Sequence, residues 1–104
     1  MQITWTEQHG CGASLTVVRF SGDGRERRWA RRMDRFYEAL GKAAWQYAEQ
    51  CLEVDPHARY ACCMDAVAEG DQVLVTVTIS HKHPGMVSRK KELCHVWRKG
   101  VLWS

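Results

Sequence analysis

The residues with the most chemical potential are the histidines and cysteines of the second half. His81-x-His83 sets two imidazoles on alternate positions, so on a strand both would point to one face. Cys62-Cys63 and Cys94-His95 could add ligands. Structural zinc sites draw on spacings such as C-x2-C or H-x3-5-H, and neither occurs here. His81 and His83 read instead as polar residues of a loop ahead of Pro84-Gly85. A catalytic thiol needs a histidine held beside it, but Cys94 and His95 are neighbours in sequence and face opposite sides of a strand. Cys62 or Cys63 with His57 has no further support. Asp65 and Asp71 flank a turn rather than share a strand, and Gly10-Cys11-Gly12 lacks the helix a phosphate loop requires. These residues predict no enzyme, no bound metal and no cofactor.

A second constellation is electrostatic. Arg25, Arg27, Arg28, Arg31, Arg32 and Arg35 crowd one segment. At about 100° per residue they form one arc opposite Trp29, Met33, Phe36 and Leu40. Helix stability does not call for them there. Cations near a helix N-terminus oppose its dipole, and Arg27-Arg31, Arg28-Arg32 and Arg31-Arg35 are like-charge pairs four residues apart. Asp34 and Glu38 are placed to pair with Arg31 and Arg35. One reading is a solvated face whose long stems cover the flank of the core. The other is an anion-facing patch for an acidic protein, nucleic acid or anionic lipid, with Arg27, Arg28, Arg31 and Arg35 as contact residues. No RNA-stacking, zinc-finger or helix-turn-helix signature favours nucleic acid.

The element carrying those arginines is the strongest signal in the chain. Trp29, Met33, Phe36, Leu40, Ala44, Tyr47 and Cys51 recur at the spacing of one helical face. Asp23 and Glu26 have the separation of a capping box, and Pro56 demands an end before it. Around this helix, alternating patterns predict strands at Ile3-Trp5, Ala13-Phe20, Tyr60-Ala66, Val73-Ile79 and Val87-Trp97, with Val101-Trp103 as a short stub. The change of parity at Val17-Val18 calls for either a bulge or a strand covered on both faces. The order β-β-α-β-β-β predicts an α+β fold, with one long amphipathic helix packed on one face of a 4-5-stranded antiparallel sheet.

A chain of 104 residues with 45% hydrophobic and 26% charged residues is a single globular domain. A helix from Gly24 to Leu52 is about 43 Å long, against a span of roughly 35 Å for a domain of this size. It should bend at Gly41 or push its arginine-rich turns past the sheet, leaving Leu40 to Cys51 as the better-packed half. No apolar run suffices for a membrane span, and the first residues lack the plan of a signal peptide. Five cysteines, an odd number, read as buried reduced thiols of a cytoplasmic protein. The net charge of +3 is too small to argue for nucleic acid. Five tryptophans need core space or an interface, and a homodimer follows if some aromatics stay exposed.

Met33-Asp34-Arg35-Phe36-Tyr37, the aromatic helix to Tyr47-Ala48-Glu49, the turn at Gly70-Asp71, His81-Lys82-His83-Pro84-Gly85 and Val96-Trp97-Arg98-Lys99-Gly100 together resemble the RsiV-type C-terminal domain of Firmicutes. Arg98 stands where that family favours Asp. The resemblance implies a non-enzymatic α+β domain, in the family the sensing part of an anti-sigma factor, that binds a protein ligand. It assigns no contact residue to this chain. The leading expectation is a non-catalytic domain that binds a protein partner. A nucleic-acid-associated protein using the arginine face comes second, and a metal or thiol-redox protein third.

Overall fold

Gly12, with φ at +78°, turns the chain between two nine-residue strands, β1 (Gln2–Gly10) and β2 (Ala13–Ser21). They pair antiparallel without a break from Gln2↔Ser21 to Gly10↔Ala13. A single helix α1 (Glu26–Val54) follows. The chain returns through β3 (Arg59–Glu69), β4 (Gln72–Lys82) and β5 (Arg89–Arg98). This computed structural model describes residues 1–10 and 12–98; the stub expected at Val101-Trp103 lies outside them.

The five strands form one sheet in the order β1-β2-β3-β4-β5, with α1 on one face. The element order is the expected one, but the sheet is mixed, not antiparallel. β2 and β3 run parallel over Ala13↔Tyr60 to Thr16↔Cys63. The reason is length. A helix as long as the strands carries the chain back to the end where β2 began, so the next strand must repeat its direction. Short turns make β3, β4 and β5 antiparallel.

The parity change in β2 needs no bulge, since the β1–β2 register is continuous. Val17 and Val18 are both buried. β2 leaves β3 after Thr16, and beyond that point the Phe20 N–H donates to Asp34 Oδ1 on the helix at 3.1 Å. The strand therefore twists over the helix and presents both parities to it: Val17 lies by Gly41, and Phe20 lies by Tyr37.

The helix neither breaks at Gly41 nor overhangs. It runs as one 29-residue segment, about 43 Å, along the 48 Å axis of an elongated molecule only 20 × 19 Å in section. Strands of up to 11 residues match it. The buried face is Trp29, Ala30, Met33, Tyr37, Gly41 and Ala48. The first half is thus the better packed, opposite to expectation. Phe36 and Tyr47, expected in the core, are exposed. Relative to the expected stripe, the buried stripe is turned by about 50° toward β2. Gly41 is small enough to let the backbone approach Val17 there. The expected capping box is also absent. Arg25 is the N-cap, without a side-chain bond, and the Glu26 carboxylate meets the Met1 amino group at 2.6 Å.

Candidate functional site

Four places were singled out by the sequence or emerge from the fold. The first is the outer face of α1. Arg25, Arg27, Arg28, Arg31, Arg32 and Arg35 are all exposed. Asp34 and Glu38 do not pair with Arg31 and Arg35. Both turn instead to Arg19 of β2, with Nη1 at 3.6 Å from Asp34 Oδ2 and 3.3 Å from Glu38 Oε2. Asp34 also accepts the Phe20 N–H. The twist of β2 over the helix brings Arg19 there, a long-range effect that helical spacing cannot reveal. Among the described residues, none of the six arginines then has a carboxylate within 4.0 Å.

The second place is the join between α1 and β5. Trp97 Nε1–H donates to Tyr37 Oη at 2.8 Å, and Tyr37 Oη lies 3.1 Å from His95 Nδ1. Indole can only donate, so the hydroxyl accepts from Trp97, and it shares a second hydrogen bond with His95 Nδ1. Burial raises the Tyr37 pKa, with the Trp97 hydrogen bond partly opposing, so the phenol stays neutral as this network needs. Phe36 stands edge-on to Tyr37, His95 and Trp97. These rings close the sheet against the helix, and the cluster is structural.

The third place lies at the C-terminal end of α1. His81 is in β4, not in a loop, and stacks on Tyr60 with centroids 4.9 Å apart and planes at 11°. His83 stands edge-on to His81, and its Nδ1 is 2.8 Å from Asp55 Oδ2. Asp55 in turn accepts the His57 N–H. The Tyr47 phenol is raised chiefly by its hydrogen bond to Cys51. That of Tyr60 is raised by burial and then by the same thiol. The Nε2 of His81 is buried without a partner among the described residues. No three His, Cys, Asp or Glu side chains among the described residues are grouped to hold a metal ion.

Contrary to expectation, the described cysteines are not uniformly buried, and Cys11 lies outside the described residues. Cys62 is buried, Cys51 half-buried, and Cys63 and Cys94 exposed, because alternation on β3 sends Cys62 inward and Cys63 outward. Burial, and then the neighbouring Cys63, push the Cys62 thiol up to about 11 from an ordinary 9.0. The thiolate is the reactive form. With a disulfide-exchange reagent at pH 8, Cys63 and Cys94 should therefore react at least tenfold faster than Cys62. Equal rates, followed cysteine by cysteine by mass spectrometry, would refute the assignment. The folded state keeps the Cys62 proton where the unfolded chain releases it. Stability should accordingly fall as pH climbs from 9 toward 11, a slope absent from Cys62→Ala.

The fourth place is a pocket of about 230 Å³ between the second half of α1 and strands β2 to β5. It lies on the side of the helix that carries Leu40, Ala43, Ala44 and Tyr47, away from the contact of Gly41 with Val17. A second, also about 230 Å³, is lined by His81, His83, Met86, Val87 and Arg89. On the open face of the sheet, Val67, Leu74 and Val96 stand in register and exposed. Among the described residues, no helix is long and apolar enough to cross a membrane.

No protein-family model matches the chain, and no curated protein does.

Proposed function

We propose that the protein is a non-catalytic binding domain that takes the acidic surface of a protein partner on the arginine face of α1. One observation carries the reading: Arg19 draws off Asp34 and Glu38, the two acids that would have neutralised the patch. Six exposed guanidinium groups are left along about 15 Å of helix. Such a cluster opposes both the helix dipole and itself, so it stands at a cost to stability and complements an acidic surface. Arginine also offers a planar fork of donors matched to carboxylates. The resemblance to the RsiV-type domain, whose members bind a protein ligand, agrees with this.

The test uses a fluorescein-labelled oligoglutamate peptide and, separately, short DNA and RNA duplexes, at 50 and 200 mM salt. The peptide should bind in a salt-sensitive way. Arg27, Arg28, Arg31 and Arg35 replaced together by Gln should weaken it about tenfold, since four exposed ion pairs at a few tenths of a kcal/mol each sum to about 1.4 kcal/mol. The variant should melt at the same temperature or higher, because like-charge pairs are removed. Tighter, steeply salt-dependent binding of a duplex would replace this reading with the nucleic-acid one. Unfolding of the variant would show that the arginines serve the fold.

A further inference from the structure

The pocket under the second half of α1 is lined almost wholly by apolar groups. Four of its lining residues, Ala43, Ala44, Ala48 and Ala61, are alanines, where larger side chains would fill the space. Ala43, Tyr47 and Leu93 are exposed and mark its mouth, between the helix and β5. Along the helix it extends from Leu40 to Ala48, about 12 Å. An apolar void of ~150 Å³ stays dry and accepts one benzene ring. At about 230 Å³, the same proportion corresponds to about nine carbon atoms.

The charge beside the mouth has one sign. In the β4–β5 ladder Leu93 is opposite Val77, Lys91 opposite Ile79, and Arg89 opposite His81, so Leu93, Lys91 and Arg89 alternate onto the helix-facing side. Lys91 and Arg89 are exposed, and neither has a carboxylate within 4.0 Å among the described residues. The nearby Asp55 is engaged by His83. Tyr60, which lines the apolar pocket, stacks on His81, and His81 shares the second pocket with Arg89. One stacked ring pair thus separates the apolar chamber from the pocket that Arg89 lines.

We propose that this pocket binds the hydrocarbon tail of a small anionic amphiphile, a carboxylate of about nine carbons, with its acid group held beside Lys91 and Arg89. A tail in the chamber replaces void by van der Waals contact, and the carboxylate meets two cations that no protein acid neutralises. The proposal is independent of the arginine face on the outer side of α1.

Nonanoate and 1-nonanol, titrated below their aggregation limits and followed by tryptophan fluorescence and calorimetry, provide the test. Nonanoate should bind saturably at one site, about tenfold tighter than the alcohol. Lys91→Glu with Arg89→Glu should remove that preference and leave the alcohol's affinity as it was. Ala44→Phe should abolish both while the circular dichroism is kept. If that variant does not fold, Leu93→Gln at the exposed rim should weaken both instead. The Arg27, Arg28, Arg31 and Arg35 variant should bind nonanoate normally. No saturable binding of either compound, equal affinity for both, or binding indifferent to Ala44 and Leu93 would overturn the proposal.

Discussion

Replacing Tyr37 by Ala should destabilise the protein by about 4 kcal/mol, and replacing it by Phe by about half of that. The ring is fully buried and touches Phe20, Phe36, His95 and Trp97, so its removal opens a cavity with little chance of collapse. In the Phe variant the packing stays, but Trp97 Nε1–H loses its acceptor and His95 Nδ1 its hydrogen-bond partner. Two such groups left unpaired in a part-buried site cost about 2 kcal/mol together. Urea unfolding of the two variants separates the terms. β5 pairs only with β4, and this cluster is what ties it to the helix. Amide exchange in Arg89–Arg98 should therefore quicken more than in β3. A Phe variant as stable as the parent would mean that the network contributes nothing.

Gly41→Leu should cost about 3 kcal/mol, whereas Gly41→Ala should stay within about 1 kcal/mol of the parent. A Cβ at this position would stand 3.1 Å from Val17 Cγ2 and 3.7 Å from Met64 Cε. The helix is packed tightly on β2 here, and a large side chain has no room. For alanine, the helix-propensity gain of about 1 kcal/mol is offset by the shift Val17 must make. In a Val17→Ala background that obstacle is gone, so the same Gly41→Ala change should become stabilising. A double-mutant cycle measures it; strict additivity would show that Val17 is not what limits the site. The helix runs unbroken through this glycine, whose lack of a side chain serves close packing.

The two results concern different properties of one interface. Tyr37 holds β5 to the helix through polar and aromatic contacts, and Gly41 holds β2 to it through proximity. Together they draw the first half of α1 into the sheet. The second half stands off on the β5 side, so the arginine face and the apolar pocket lie on opposite flanks of one rod.

Much of this was legible in the residues. Alternation in Val73, Val75, Val77 and Ile79 fixes the inward face of β4 because a pleated strand sends every second side chain the same way. Periodicity over Trp29 to Cys51 fixes a helix, and the arginine arc follows from the same geometry. Those are local relations, carried by spacing alone. The direction of β3, the partner of Asp34 and Glu38, and the roll of the helix about its axis are not local. The roll depends on Gly41 meeting β2, which moves Phe36 and Tyr47 out of the core although their periodicity is as good as that of Met33. Arg19 reaches Asp34 and Glu38 only because β2 leaves β3 after Thr16 and twists across the helix. The sequence by itself thus determined the elements, their order and the basic face of α1. Tertiary packing decided which side of the helix is buried, which acids the arginines lose, and that a chamber remains beneath Ala44, because each depends on how closely two backbones approach.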